Sequence, residues 1–435
     1  MRKESHRVCP FGLPCGIDGF ITEAMACFDG QYQLFYGERS FPYGFRKCSL
    51  ANSSDLLDWK KQKTVLRPHF LEPAFINAGA AIPRNGKTVY LYHKKTLFCD
   101  SIRMVSTADF IKFEKHPVPV LTARHLPKKA RGISAPRLFK SGDFYYMLIA
   151  SAMRKGGMIL LYRSPNLIDW DYRGMLACET EANTGKSALP ALVQVDGKHI
   201  LLEQRTQKNK KVFGYRVGSA RPEECCFTPF CCFKTLDYLV SPRITTLSDG
   251  RTVLLSGVEN IEGGCDKMGL PKEIACEEKK LFLRPVRELY ARRNQEITAS
   301  FTAKQRVTLL NGFNGRRTME LNVFADLTKA ASLRIMAFMT GCRGLFINII
   351  KDRSVAELDF STLVKKNKNK CPVVTVPLTQ TDKLDLQLIL LGDRFECFFN
   401  RGEATVSRGL DAALTGGQIG LDAEEKLLAK SWHIN

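Results

Sequence analysis

A five-fold internal repeat constrains this chain more than any other feature of its sequence. Five segments share a turn residue, a glycine, a polar residue and then an apolar run. They start at Asp29-Gly30, Asn85-Gly86, Ser141-Gly142, Asp196-Gly197 and Asp249-Gly250. Successive glycines are 53 to 56 residues apart. Because Asn, Asp and Gly tolerate positive φ best, each dipeptide predicts a tight β-hairpin of type I′.

A second element recurs downstream of the first three hairpins. Ser53-x-Asp55-Leu56-x-x-Trp59 is echoed by Thr107-x-Asp109-Phe110-x-x-Phe113 and by Ser164-x-Asn166-Leu167-x-x-Trp170. In each copy a polar turn leads to an aromatic that can fill the space between neighbouring sheets. A unit of this length with several strands and no helical pattern predicts a propeller blade. Solenoid repeats, the competing class, are shorter and more leucine-periodic.

The remainder of the chain predicts a second all-β unit. From about residue 295 short alternating strands are separated by glycine or charged turns, as in LRIMAFMT, GLFINII and LDLQLILL. A β-sandwich is the simplest arrangement of such strands. The expected architecture is all-β, with a five-bladed β-propeller over residues 1–283 and a β-sandwich over residues 284–435.

The charge and hydropathy of the 435-residue chain narrow the classes of partner. The net charge of +21 indicates attraction to anions. Its basic runs are interrupted by asparagine instead of aromatic residues, so we expect solvated hairpin tips and no nucleic-acid binding. No apolar stretch has the length of a membrane helix, and the N-terminus lacks the apolar core of a signal peptide. We therefore expect a cytoplasmic protein without a membrane partner, and leave open whether it forms a homo-oligomer.

The fifteen cysteines predict neither a disulfide framework nor a metal site. Their one cluster is ECCFTPFCCF, with Cys225, Cys226, Cys231 and Cys232. A soft-metal site is the alternative interpretation, but adjacent residues of a strand point to opposite faces. Small apolar residues in buried strands are the favoured interpretation. The sequence predicts no cofactor.

The channel-lining strands should be the ones that precede the glycine hairpins, because ligand sites of propellers form where the innermost strands converge. They correspond to residues 16–21, 77–81, 134–138, 188–192 and 241–244. These segments are small, polar or proline-containing, as expected where backbones crowd around an axis. Asp18 is the one acid among them.

The sequence resembles the β-fructosidases of glycoside hydrolase family 32. The stretch from His6 to Phe20, followed by FDGQYQLFYGE, is similar to the family's histidine, W-[MI]-N-D-P-N-G-L and DGxYHLFYQ elements. SSDLLDW is similar to S-x-D-L-x-x-W, and PKEI, RPVRELYA and GDRFECFFNRGEATVS are similar to segments of the family's second domain. The resemblance covers essentially the whole chain and implies the same propeller and sandwich.

The departures from the family pattern fall on the catalytic residues. The resemblance places the nucleophile aspartate at Gly16, the transition-state-stabilising aspartate of R-D-P at Ala135, and the acid/base glutamate of E-C-P-D-L at Ala188. Ser134 stands where R-D-P has its arginine. Glycine and alanine can neither attack, donate a proton nor stabilise an oxocarbenium ion. The scaffold is therefore predicted to be kept and the usual mechanism lost.

Two functional hypotheses follow. The first is a catalytically inactive or altered protein that recognises a fructoside-like sugar or oligosaccharide, including phosphorylated or acidic forms. Its predicted binding residues are Asp18, Phe20, Asn77, Ser134, Arg137 and Arg243. The second is an active glycosidase with relocated acids, in which Asp18 works with Glu179, Glu181 or Glu203. Retaining hydrolysis takes two carboxyl groups roughly 5–5.5 Å apart.

Each of these residues also has a simpler interpretation. Asp18 could cap backbone amides of a turn. Arg137 and Arg243 could brace neighbouring blades, and the glutamates of the fourth blade could be solvent-exposed loop residues. A propeller that binds another protein is a third functional class. The degenerate sugar site is the favoured hypothesis among these.

Overall fold

The computed structural model describes fifteen stretches of the chain. They are residues 21–40, 45–67, 74–154, 156–179, 188–207, 210–236, 239–261, 267–301, 307–310, 318–329, 332–363, 373–391, 394–410, 418–423 and 427–434. Within them the chain forms two compact units. The first comprises Met1–Gly257 and Ile274–Lys280, and the second comprises Val258–Glu273 and Leu281–Asn435. The division at residues 283 and 284 stays a prediction.

Strands dominate both units. The strands up to Pro285 are β1 (Ile21–Phe28), β2 (Gln31–Ser40), β3 (Phe45–Ser53), β4 (Lys60–Leu66), β5 (Phe75–Arg84), β6 (Lys87–Lys95), β7 (Asp100–Thr107), β8 (Glu114–Lys115), β9 (Leu121–Thr122), β10 (Arg137–Ser141), β11 (Phe144–Ala152), β12 (Gly157–Ser164), β13 (Asp171–Glu179), β14 (Ala188–Val195), β15 (Lys198–Gln207), β16 (Lys210–Arg221), β17 (Cys226–Pro229), β18 (Lys234–Thr235), β19 (Val240–Thr246), β20 (Thr252–Asn260), β21 (Lys267–Met268), β22 (Lys272–Glu277) and β23 (Lys280–Pro285).

The later strands are β24 (Arg293–Phe301), β25 (Val307–Leu310), β26 (Thr318–Asp326), β27 (Ser332–Thr340), β28 (Arg343–Ile350), β29 (Val355–Asp359), β30 (Val373–Pro377), β31 (Lys383–Leu391), β32 (Arg394–Phe399), β33 (Ala404–Gly409), β34 (Gln418–Ala423) and β35 (Leu427–Ile434). The described helical segments are short 3₁₀ turns at Ala123–His125, Pro222–Glu224, Arg287–Arg292 and Asn400–Gly402. No described helix is long and apolar enough to cross a membrane.

Antiparallel sheets repeat along the first unit as the sequence predicts. Their strand orders are β1-β2-β3-β4, then β5-β6-β7-β8 with β9 beside β7, β10-β11-β12-β13, and β14-β15-β16-β17 with β18 beside β16. In the fifth repeat β19 pairs with β20, and β22 is next to β20 in the sheet order. The predicted all-β fold of propeller blades and a sandwich is confirmed.

The glycine hairpins join the first and second strands of their sheets, as predicted, but they differ in detail. Both turn residues have positive φ in the first, second and fourth repeats, for example 48° at Asp29 and 70° at Gly30. In the third and fifth repeats Gly142 and Gly250 have positive φ, whereas Ser141 and Asp249, which precede them, do not. The type I′ prediction therefore applies to three repeats.

Apolar clusters join the first sheet of the first unit to the second, the second to the third, and the third to the fourth. Phe35 of the first sheet stacks on Tyr90 of the second, with ring centroids 4.4 Å apart. Trp170, which follows the third copy of the polar turn, lies in a cluster with Leu91 and Ile102 of the second sheet. The prediction that this aromatic fills the space between neighbouring sheets is confirmed there.

The second unit contains two sheets that pack as a sandwich. One has the order β33-β32-β31-β26-β35-β24 and the other β25-β34-β27-β28-β29-β30. Burial alternates along their strands, for example in β29 and β30, because successive side chains point to opposite faces. Phe360, just after β29, contacts Phe395 of β32 with ring centroids 5.4 Å apart. The core of this unit lies between the two sheets.

Candidate functional site

The predicted site residues divide into those the structure describes and those it does not. Gly16, Asp18 and Phe20 lie outside the described residues, as does Glu181. Asn77 lies in β5 and Ala188 begins β14, but neither side chain is described. Five others can be examined: Ser134, Ala135, Arg137, Glu203 and Arg243.

The segment immediately before β10 is fixed by the end of β11. The Arg131 amide donates to the Ser151 hydroxyl at 3.0 Å, and that hydroxyl donates to the Gly132 carbonyl at 2.9 Å. The Ala150 amide donates to the Ser134 hydroxyl at 2.8 Å. Ser134 thus uses its oxygen to hold the backbone of its own blade.

Ala135, in the position that the resemblance gives to an R-D-P aspartate, contributes a buried methyl group. Its exposed fraction is 7%. A methyl group offers neither a charge nor a hydrogen bond to a ligand. The chemistry available at this segment therefore has to come from its neighbours.

Asp100, the first residue of β7, brings a carboxylate to this segment. Its Oδ2 accepts a hydrogen bond from the Ile133 amide at 3.1 Å, and its Oδ1 contacts Nε2 of His93. Burial raises the pKa of Asp100, but the hydrogen bond and charge of His93 together with the Ile133 amide outweigh burial and lower the pKa overall. Neither residue is indicated by the sequence, because a lone histidine or aspartate beside a hairpin carries no motif.

The position of His93 connects this pair to a predicted binding residue. In the pairing of β5 with β6, Asn77 lies directly opposite His93. Asn77 lies near the start of β5, and Ile133–Ala135 lie just before the start of β10, so both are at the ends of their blades where the first strands begin. The backbone thus brings Asn77, Asp100 and Ser134 to one end of the second and third blades.

A cavity of about 910 Å³ lies along the first strands of the blades, toward their glycine hairpins. Most of its lining comes from the first strands of the five repeats and the turn after β19, at Ala24–Cys27, Ala80–Pro83, Arg137–Ser141, Leu192–Gln194 and Arg243–Ser248. The segment Ala220–Glu223 at the end of β16 adds to it. Small side chains such as Ala24, Ala80 and Ala81 leave space between the strands. The cavity is the central channel at its hairpin end, and its volume suits a small-molecule ligand.

Arg137 and Arg243 both line this cavity. They occupy equivalent positions, each following a proline at the first strand of its repeat. They are 7% and 5% exposed, and each guanidinium donates to the carbonyl of the preceding proline. Arg137 also donates to the carbonyl of Gly79 in the second blade. The bond to Gly79 fits the bracing interpretation of Arg137, while the cavity lining fits the binding interpretation of both arginines.

The charge of the lining is mainly positive. Lys140 and Arg221 add two cations, and Glu223 is the carboxylate among the described lining residues. Glu223 accepts a hydrogen bond from the Ser141 hydroxyl at 3.0 Å. A cleft lined mostly by one sign of charge concentrates ions of the opposite sign, so this cavity favours anions.

Glu203 corrects an expectation from the sequence. It was interpreted as an exposed loop residue, but it lies in β15 and is 1% exposed. Its Oε1 accepts hydrogen bonds from Arg205 at 2.7 Å and from Arg216 at 2.9 Å. Pairing with two guanidinium groups allows the carboxylate to be buried, which a sequence pattern does not reveal. Glu179 ends β13 and its side chain is not described.

The cysteine cluster lies at the fourth repeat. Cys225 has a left-handed conformation with φ of 52°, and Cys226 begins β17. All four cysteines are free thiols that are partly or fully exposed, and Cys231 and Cys232 lie outside the strands, so the interpretation as buried strand residues is wrong. Partial burial raises the pKa of Cys225. Among the described residues no group of three or more histidine, cysteine or acidic side chains could hold a metal ion.

Propeller blades followed along the chain by a sandwich, with a cavity lined by the first strands of the blades, define the class of all-β proteins with this two-part architecture. The family model for the N-terminal domain of glycosyl hydrolases family 32 matches residues 22–285, more than half of the chain. The chain therefore belongs to glycosyl hydrolase family 32.

Relatives with assigned activities match along most of their length. A sucrose-6-phosphate hydrolase of Zymomonas mobilis is 26% identical over 423 residues, covering 85% of this chain and 79% of the relative. A raffinose invertase of Escherichia coli is 23% identical over 433 residues, covering 91% and 87%. These names describe the relatives.

Solved structures show the same fold. A sucrose-6-phosphate hydrolase of Lactobacillus gasseri superposes with a TM-score of 0.85 at 18% identity, covering 100% of this chain and 94% of that one. A β-fructofuranosidase of Bombyx mori, solved as a mutant in complex with sucrose, gives a TM-score of 0.80 at 21% identity, covering 99% and 94%.

Proposed function

We propose that this protein recognises a fructoside-like sugar, including phosphorylated or acidic forms, and lacks the usual retaining hydrolase mechanism of its family. The observation that carries the proposal is the segment before β10. Ala135 has a buried methyl group, and the hydroxyl of Ser134 accepts the Ala150 amide. Gly16 and Ala188 add two further positions without a carboxyl group. Three missing carboxylates leave that mechanism without a nucleophile or an acid.

The positive lining of the cavity supports an anionic group on the ligand. Arg137 and Arg243 present planar guanidinium groups, which bind phosphate and carboxylate oxygens in pairs. Lys140 adds a third cation. The names of the relatives, several of them sucrose-6-phosphate hydrolases, point in the same direction.

Hydrolysis with relocated acids is the second candidate, and Asp100 is the observation that favours it. This carboxylate reaches the segment that precedes β10. Retaining hydrolysis needs a second carboxyl group roughly 5–5.5 Å away, for which Asp18 is the candidate from the sequence. Glu203 is less suited to this role because two arginines already occupy its carboxylate.

A ligand panel tests the proposal directly. The melting temperature is measured with fructose, sucrose, sucrose 6-phosphate and inulin, and release of reducing sugar is followed in the same samples. We expect at least one sugar to stabilise the fold, by about 2.7 kcal/mol at a hundred times its Kd, without product release. No stabilisation by any of the four would refute sugar recognition. Product release that disappears in Asp18→Asn would refute the loss of catalysis.

A separate pair of variants tests whether the cavity binds an anionic group of the ligand. Arg243→Gln removes one cavity cation, and Arg353→Gln removes the same charge from the second unit, where Arg353 pairs with Glu357 at 2.9 Å. Sucrose 6-phosphate should lose its advantage over sucrose in Arg243→Gln and keep it in Arg353→Gln. An equal loss in both variants would mean that net charge, and not the cavity, attracts the ligand.

A further inference from the structure

We propose that Asp100 is a ligand-binding residue at the strand-start ends of the second and third blades, where its carboxylate accepts hydrogen bonds from hydroxyl groups of the bound sugar. This inference rests on the proposed function, sugar recognition, and adds to it a residue that the family resemblance does not indicate.

Asp100 is positioned between two blades. It begins β7 of the second blade, and the backbone amide it binds belongs to Ile133 of the third, at 3.1 Å. His93, on the neighbouring strand β6, holds the other oxygen of the carboxylate. The two contacts, one on each oxygen, fix the plane of the carboxylate.

The carboxylate retains the capacity to bind a ligand. An ionised carboxylate has about four acceptor positions, and the described contacts of Asp100 use one on each oxygen. Its side chain is 23% exposed, so solvent and small molecules reach it. Gly132 has no side chain to cover it, and a Cβ there would lie 3.8 Å from Oδ2.

The protonation state suits this role. The net effect of burial, His93 and the Ile133 amide is a lowered pKa, so Asp100 is ionised at neutral pH. An ionised carboxylate can only accept hydrogen bonds, and such charge-assisted bonds are about twice as strong as neutral ones. Sugar hydroxyls are the matching donors.

The surroundings are also rigid, as a binding site requires. The segment that Asp100 contacts is held from the other side by Ser151, whose hydroxyl bonds Arg131 and Gly132, and by the bond from Ala150 to Ser134. A group held in place before binding loses little entropy when a ligand arrives. The alternative is that Asp100 only ties the second blade to the third.

The experiment distinguishes a residue that binds the ligand from one that only connects the second blade to the third. Sucrose and sucrose 6-phosphate are titrated calorimetrically into the full chain and into Asp100→Asn, Gly132→Ala and Ser151→Ala. Asparagine keeps an oxygen for the Ile133 amide and removes the charge, so the fold should persist while the sugar binds roughly ten-fold more weakly. Ser151→Ala loosens the same segment without touching the carboxylate. It should lower the melting temperature and change Kd less than about two-fold.

Gly132→Ala provides a second measurement if Asp100→Asn folds poorly. The added methyl group would stand 3.8 Å from Oδ2, on the open side of the carboxylate, where it should weaken binding. Because Gly132 has φ of 79°, the substitution also strains the backbone, so the melting temperature of this variant is measured together with its Kd. Wild-type affinity in a folded Asp100→Asn or Gly132→Ala would overturn the inference alone. Absence of sugar binding by the wild-type chain would overturn the proposed function and this inference together. A loss of affinity in Ser151→Ala equal to that in Asp100→Asn would mean that Asp100 only connects the two blades and does not bind the ligand.

Discussion

A buried ion pair in the second unit gives the sharpest stability prediction. Lys272 and Glu396 have fully buried side chains, with Nζ 2.8 Å from Oε2. Glu396 also accepts bonds from the Leu270 amide at 2.8 Å and from the Ser407 hydroxyl, and Lys272 donates to the Leu270 carbonyl at 3.1 Å. Every described polar atom of the pair thus has a partner.

Lys272→Met would leave the Glu396 carboxylate buried without its cation. Removing one partner of a buried pair costs about 3–5 kcal/mol. The lower end applies here because the Leu270 amide and the Ser407 hydroxyl remain as donors. Glu396→Gln should cost a similar amount, since the Lys272 ammonium then keeps the Leu270 carbonyl and the Phe398 ring, 5.8 Å from Nζ, but loses its anion.

The double variant distinguishes a pair from two independent residues. With both charges removed, glutamine can still bond the Leu270 amide, so the double variant should be less destabilised than the sum of the single variants. A coupling energy of about 2–3 kcal/mol is expected for groups in direct contact. If the two residues acted independently, the destabilisation of the double variant would equal the sum of the two single values.

Hydrogen exchange measured by mass spectrometry is the suitable assay, because it reports each of the two units separately. Amides of β32 that exchange through unfolding should exchange about a hundred-fold faster in each single variant, since 1.4 kcal/mol is a factor of ten. Peptides of the first unit, such as β11, serve as the internal control. A double variant as fast as the product of the single effects would refute the reasoning.

Three further predictions follow from described contacts. Asp55→Ala should lower stability by about 1–2 kcal/mol in urea unfolding, because Oδ1 accepts two backbone amides, whereas Asp55→Asn should be nearly neutral, since Asn166 makes the same contacts in the third repeat. Arg293→Lys should cost about 1–2 kcal/mol and alter Trp432 fluorescence, because it loses a bidentate bond to Glu320 and a stacked position 4.2 Å from the Trp432 ring. The lowered pKa of Asp100 means that its contribution to stability is present above the unfolded pKa of about 3.9 and is lost as pH falls through the folded pKa, so unfolding of Asp100→Asn should depend less on pH below about 4. A wild-type acid-unfolding curve in that variant would contradict the assignment.

The repeats could be predicted because their signals are local. A turn residue followed by glycine at a constant interval is enough to position five hairpins, and alternation of apolar residues is enough to find the sandwich strands. The backbone at Leu56 could not be predicted in this way. It has φ of 65°, in a region that bulky residues avoid, and Asp55 sustains it by binding the amides that follow. A leucine carries no sequence signal for such a conformation.

The site was less predictable, because partners distant in sequence decide it. Arg137 was identified as a binding residue from its Pro-Arg pair, yet its contact with Gly79 could be known only once the second and third blades were adjacent. Glu203 appeared exposed because its two arginines lie 2 and 13 residues away on strands that turn them toward it. Asp100 was overlooked for the same reason, since Ile133 is 33 residues from it.

Asp100 and Glu203 show why the role of a carboxylate must be judged by its partners. Glu203 is 1% exposed and lies between two guanidinium groups, which satisfy its charge within the protein. Asp100 is partly exposed and is held by one imidazole and one backbone amide, so acceptor positions remain for a ligand. A relocated function requires a charge that is fixed in place but still open to a substrate. Of these two carboxylates Asp100 meets both conditions and Glu203 meets the first. The search for altered chemistry therefore belongs where Asp100 of the second blade contacts Ile133 of the third.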